Sequence, residues 1–228
     1  IPAIFLIGFA AGSMLTPYTI ALSQKRQLGQ HTTERQKAQL NRVSGRTVLC
    51  TLLGFVVVFA ATHLFSLPNT MASLGEMTGG LPLVDQRASF SAEEVYNRLT
   101  QFGLKARMIY LRFTYTADLV FPLSFLLFLS SLAAYVGERS AISQRFRYLM
   151  IALPAVWFLS DMLENTMTFA LITQFPRPTN IIGGLIGYVT VPKFSLLFMA
   201  LLLPLAVFSL NQRQSMEQRD SAIIAKIS

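Results

Sequence analysis

Charge is scarce in this sequence, and so are the residues that most often carry chemistry. Only 13% of the 228 residues are charged, where an ordinary soluble domain has about 25%, so a soluble fold is excluded. The one cysteine, Cys50, rules out intramolecular disulfides and every multi-cysteine zinc or iron–sulfur pattern. Two histidines, His31 and His63, fall in regions that charge assigns to opposite membrane faces, which argues against a bis-histidine haem between helices. There is no nucleotide-binding loop, no Gly-x-Ser-x-Gly elbow, no His-Glu-x-x-His and no Cys-x-x-Cys.

What is present is hydrophobic. Apolar residues make up 53% of the chain, and mean hydropathy is +0.49. They gather into runs of about 20 residues or more, long enough to cross roughly 30 Å of hydrocarbon as helices. The sequence predicts an all-α membrane protein, a four-helix transmembrane bundle over residues 47–210 with spans at 47–67, 109–136, 148–174 and 185–210. The excess of 19 Lys+Arg over 11 Asp+Glu lies beside these spans, so it orients helices and does not indicate nucleic acid.

The charge pattern gives one orientation. The segment 23–46 carries Lys25, Arg26, Arg35, Lys37, Arg42 and Arg46 against Glu34; the 137–147 loop has Arg139, Arg145 and Arg147 against Glu138. The tail, 211–228, has Arg213, Arg219 and Lys226 against Glu217 and Asp220. By the positive-inside rule all three are cytoplasmic. The outer loop 68–108 balances four acids with Arg87, Arg98, Lys105 and Arg107. For residues 1–22 two readings stand. One is a fifth transmembrane helix entering from outside, with Gly8-x-x-x-Gly12 as a close-packing face; the other is a start artefact, with Met14 as initiator. A cleaved signal peptide fits poorly, because it would put the basic segment outside.

In the outer loop, Ser91 and Glu94 form a capping box, with Phe90 stapling onto Val95. A short amphipathic helix is expected to follow, with Ala92, Val95, Tyr96, Leu99, Phe102 and Ala106 on one face and Glu93, Glu94, Asn97, Arg98 and Lys105 on the other. The stretch from Pro68 to Pro82, with Gly75, Gly79 and Gly80, reads as irregular loop. Gly183-x-x-x-Gly187 is a close-packing motif, and Pro122, Pro154, Pro192 and Pro204 are expected to kink their helices.

Ionisable residues inside transmembrane helices are costly and normally face the bundle interior. Here they are Asp118, Asp161 and Glu164 beside Asn165, Lys193, and His63 near the end of the first span. Counted at 1.5 Å per residue from the cytoplasmic end, Glu164, Asn165, Lys193, Asp118 and His63 all lie about 26–28 Å up and Asp161 about 21 Å. Four helices thus contribute to one layer in the outer half of the membrane. Asp161, Glu164 and Asn165 share a helix face, as do Arg112, Tyr115 and Asp118 on a continuous second span; Thr190 is one turn from Lys193. The candidate ligand-binding set is therefore Asp118, Asp161, Glu164, Asn165, Lys193, Tyr115, Arg112 and His63. Lys193 neutralises one acid and Arg112 another, which leaves at least one carboxylate to hold a proton or a cation.

The elements Arg112-x-x-Tyr115-x-x-Asp118-x-x-Phe121-Pro122, Asp161-x-x-Glu164-Asn165 and Thr190-x-x-Lys193 resemble a group of small bacterial integral membrane proteins with four helices. The match covers about residues 91–200. The resemblance implies the bacterial cytoplasmic (inner) membrane and no particular activity. Claudin-like tetraspans share the topology, but their paired loop cysteines are absent.

Three functions fit these residues. The first is binding or passage of a small ligand, cation or proton at the polar layer. In the second, an accessory subunit packs in a homo-oligomer or larger membrane complex and the polar layer is interhelical glue. The third is a membrane enzyme acting on lipid head groups, with Glu164 or Asp161 as general base and Lys193 stabilising negative charge. The enzyme has least support, since no nucleophile–base pair is legible. No cofactor is predicted, although a divalent cation held by Asp118, Asp161 and Glu164 would favour that reading.

Overall fold

Hydroxyl side chains mark where several helices of this chain begin. The computed structural model describes residues 43–177 and 179–227, and the readings made for residues 1–22 and for 23–42 lie outside them. Ser44 caps α1 (Gly45–Phe59) by accepting from the Thr47 amide at 3.1 Å, and a five-residue π-helical turn, Ala60–Leu64, prolongs it. Helix α2 (Met71–Met77) lies inside the stretch expected to be irregular. Its signal is a capping box with serine at the third position: the Thr70 amide donates to Ser73 Oγ at 3.1 Å and the Ser73 amide to Thr70 Oγ1 at 3.4 Å. A search for glutamate or glutamine at that position passes over it.

Ser91 caps α3 (Ala92–Thr114), accepting from the Glu94 amide at 3.5 Å, which is one half of the expected box; the Glu94 carboxylate accepts from Arg98. Val95, Leu99, Phe102 and Ala106 are buried along its apolar face. Helical dihedrals fail at Gly103, whose φ of 70° and ψ of 172° only glycine adopts readily. The chain breaks again at Tyr115 and Thr116 before α4 (Ala117–Arg139), with Thr116 at φ −123° and ψ −94°. The second span is therefore not one continuous helix. Ser143 caps α5 (Gln144–Gln174), which is followed by α6 (Asn180–Ile227). Helix α6 continues as helix through the polar tail, where Ser215 and Ser221 return hydrogen bonds of 2.9 and 2.8 Å to carbonyls one turn back and neither Gly nor Pro interrupts.

All regular structure among the described residues is helical. Four stretches among these described residues are long and apolar enough to cross a membrane: Gly45–Leu64, Ala92–Arg139, Gln144–Gln174 and Asn180–Ser221. The expectation of an all-α, four-span bundle is borne out, and the chain is a polytopic membrane protein. Leu53, Val57, Leu159, Leu163, Phe198 and Leu202 are exposed on the helix exteriors, an arrangement suited to lipid and not to water. Helices α4, α5 and α6 pack together, and α1 lies along α4, where Phe55 stacks on Phe125 with ring centroids 4.3 Å apart and Thr51 bonds Ser131 at 2.7 Å.

Three apolar clusters succeed one another along the bundle. At the end carrying α2, Leu74, Leu83 and Val84 pack with Val95, Phe113, Leu171 and Ile186. The middle is built from Leu126, Leu129, Leu153, Trp157, Phe158 and Ala200, and the far end from Ala133, Val136, Met150 and Val207. On α5 and α6 the polar residues fall between the first cluster and the second: Asp161 to Thr168 between Phe158 and Leu171, and Thr190 and Lys193 between Ile186 and Ala200. Apolar packing on either side of this centre lowers the local polarity and strengthens the electrostatic contacts in it.

Candidate functional site

Lys193 on α6 is the cation of the centre, and α5 supplies its anions. Its Nζ lies 3.3 Å from Asp161 Oδ1 and also donates to Glu164 Oε2. The choice of acid that spacing left open is resolved as both. Glu164 is entirely buried, and its second oxygen, Oε1, accepts from the Thr190 hydroxyl. Thr190 sits one turn before Lys193, so the α6 face meets the Asp161/Glu164 face of α5 as a matched set.

Glu164 is thus satisfied at both oxygens, whereas other polar atoms on α5 are not. Asp161 Oδ2, Asn165 Nδ2 and Thr168 Oγ1 are buried and have no hydrogen-bond partner among the described residues. Buried polar atoms are nearly always bonded, so three orphans at i, i+4 and i+7 on one helix stripe are a pattern. The Asn165 amide faces the Asp118 carboxylate, although its Nδ2 does not reach hydrogen-bonding geometry there. Asp118 stands in the first turn of α4, the positive end of the helix dipole, which the break at Thr116 brings into the bundle. Pro122 has no N–H to give to the Asp118 carbonyl four residues back, so that carbonyl lacks its helical partner as well.

A fourth carboxylate comes from outside the spans. Asp85, in the segment between α2 and α3, is buried, accepts from the Tyr110 hydroxyl of α3, and lies within electrostatic reach of Asp118, Asp161, Glu164 and Lys193. Arg98 holds this segment in place and is itself buried, which corrects its assignment to the polar face of α3. Its guanidinium donates to the Leu83 and Arg87 carbonyls at 3.3 and 3.0 Å, to Ser89 Oγ at 2.9 Å and to Glu94 Oε1 at 3.0 Å. Five N–H donors in a fixed fork suit Arg to this task, and periodicity alone cannot foresee it. Gly183 and Gly187 complete the seat: a Cβ at Gly187 would stand 2.4 Å from the Ser89 carbonyl oxygen, and one at Gly183 2.9 Å from Ala92 Cα. The close packing expected of Gly183-x-x-x-Gly187 is present, and its partner is the backbone of residues 89–92.

Three of the sequence-derived candidates stand apart from this centre. Arg112 is exposed and forms no ion pair with the acids, so it does not neutralise one of them. Tyr115 is exposed and packs edge-on against Phe169 at 4.9 Å. The shared Arg112/Tyr115/Asp118 face required a continuous helix, and the break at Tyr115–Thr116 removes it. His63 stacks on Phe59 at 4.8 Å and bonds Thr62 Oγ1 through Nδ1 at 2.7 Å, on the α1 side. Sequence reasoning missed Asp85, Tyr110 and Thr168. Thr168 was detectable as the next position on the Asp161/Asn165 stripe; Asp85 carries no local signal.

Asp161 and Glu164 share the Lys193 ammonium, and Asp85 and Asp118 lie within electrostatic reach of it, so carboxylates outnumber cations at the centre. Among the described residues no group of three His, Cys, Asp or Glu side chains has the geometry to hold a metal ion. No family model, curated protein or solved structure matches this chain.

Proposed function

We propose that the protein binds a small cation or a proton at the Asp85/Asp118/Asp161/Glu164/Lys193 centre, as a binding or transport protein. One observation carries this reading: Asp161 and Glu164 share a single buried ammonium, and Asp85 and Asp118 lie within electrostatic reach of it. Each unpaired charge in a transmembrane helix costs about 2.5–3.5 kcal/mol on insertion scales. Ionised together, the set would carry an excess of negative charge that glue between helices does not require, so a proton or cation supplies the balance. When such a guest leaves or arrives, the Lys193 pair can redistribute its own proton, since coupled groups titrate as a unit.

The proposal places the chain in a bacterial cytoplasmic membrane, with the loop bearing Arg139 to Arg147 inside and the α2 end outside, on the distribution of basic residues. The centre then lies in the outer half of the membrane. Infrared difference spectroscopy of the protein in lipid nanodiscs tests the reading, using buffers exchanged between sodium, potassium, tetramethylammonium and acid. Interconversion of carboxyl and carboxylate bands in the wild type, reduced in Asp118→Asn, is the expected result. A flat spectrum under every exchange, from folded protein, refutes it.

The alternative is an accessory subunit of a larger membrane complex. Helix α1 favours it, because Leu49, Leu53, Val56 and Val57 are exposed and no α1 residue is buried. Native mass spectrometry from the source membrane discriminates: a stoichiometric protein partner, together with that flat spectrum, would establish the subunit.

A further inference from the structure

The three unpartnered atoms on α5 define a path as well as a site. Asp161, Asn165 and Thr168 are 7%, 4% and 1% exposed. They run in one line from the Lys193 ion pair toward the α2 end of the bundle, about 10.5 Å along the helix axis. Their chemistry selects the guest. Asp161 Oδ2 lacks a donor, Asn165 Nδ2 faces the Asp118 carboxylate without reaching it, and Thr168 Oγ1 can serve as donor or acceptor. A bare cation satisfies the carboxylate but faces the amide N–H groups; an anion satisfies the amide but meets the carboxylates. Water satisfies all three, and buried waters normally bond to polar groups left in this condition.

We propose that a file of water molecules bonded to Asp161, Asn165 and Thr168 carries protons from the Lys193 centre as far as Thr168, in the direction of the α2 end. The inference rests on the proton-binding reading above and names its route. The titratable groups of the centre come from Asp85 in the α2–α3 segment, Tyr110 on α3, Asp118 on α4, Asp161 and Glu164 on α5, and Lys193 on α6, with Tyr115 packed on Phe169 beside Thr168. In each hop one O–H bond breaks and another forms. The donor oxygen keeps the electron pair, one proton moves, and nothing is oxidised or reduced.

Hydrogen–deuterium exchange of the buried carboxyls tests the path. Protein in nanodiscs is switched from H2O to D2O while the protonated-carboxyl C=O band is followed. The wild-type band shifts promptly. Thr168→Val, an isosteric change that removes one link, slows the shift by about tenfold, equivalent to about 1.4 kcal/mol on the transfer barrier. Thr168→Ser, which keeps the hydroxyl, exchanges like the wild type, as does Thr166→Val on the exposed side of the same helix. A Thr168→Val rate equal to wild type overturns the path and leaves the binding reading intact if the bands still respond to buffer exchange. Two further outcomes also overturn it. One is a rise in the thermal midpoint of Thr168→Val, which would show a dry stripe; the other is a wild-type carboxyl band that is absent or does not exchange while loop amides do.

Discussion

At Lys193 a single ammonium lies between two carboxylates in a layer flanked by apolar clusters, so removing it leaves both acids without a counter-ion. Lys193→Met is expected to destabilise by about 3–5 kcal/mol, the usual cost of breaking a buried pair from one side. Lys193→Met combined with Glu164→Gln should recover much of that loss, because the buried charge left behind is removed too. Unfolding titrations of both single variants and the double in the same lipid measure the coupling; strict additivity would show that the pair is not energetically linked. At this scale much was legible. Asp161-x-x-Glu164-Asn165 had to share a face, and Thr190 had to stand one turn from Lys193. Which acid takes the lysine was not legible, because 3.6 residues per turn fixes a face and says nothing of the facing helix's rotation.

At the scale of elements, the segment between α2 and α3 is as much part of the centre as the spans are. Arg98 ties residues 83–94 together through four acceptors, and Gly183 and Gly187 let residues 89–92 lie against α6. Gly187→Ala is expected to cost about 1–3 kcal/mol through overpacking, since its methyl would meet the Ser89 carbonyl at 2.4 Å. The Gly187 N–H bond to Ser89 O, 3.0 Å, would be strained with it. Gly184→Ala, where nothing lies within 4 Å of the added carbon, is the control and should be near neutral. Arg98→Met should release the segment, read as faster amide exchange across residues 83–91 with α5 unchanged; unchanged protection of 83–91 would show that the apolar seat of Leu83 and Val84 suffices. The Ser91 cap and the glycine motif were visible in the sequence. The break at Tyr115–Thr116 was not: neither residue is a strong helix breaker, and no glycine or proline marks the place.

At the scale of the molecule, the distribution of Lys and Arg predicts a topology that labelling can test. In a Cys50→Ser background, which removes the only cysteine, single cysteines are placed by Arg87→Cys and Ser140→Cys. A membrane-impermeant maleimide applied from outside is expected to label position 87 and spare 140. The reverse pattern would invert the orientation and place the polar centre toward the cytoplasmic face.

The sequence alone determined class, the four spans between residues 47 and 210, and the order of polar residues along α5 and α6, because hydrophobic run length and helical period are local properties. Only the tertiary structure decided that Lys193 is shared, that Arg98 turns inward, that Arg112, Tyr115 and His63 stand aside, and that Asp85 joins from a loop. Those outcomes depend on helix rotation, on a break set by packing, and on chain distant in sequence folding back against the bundle. No local rule encodes any of these three.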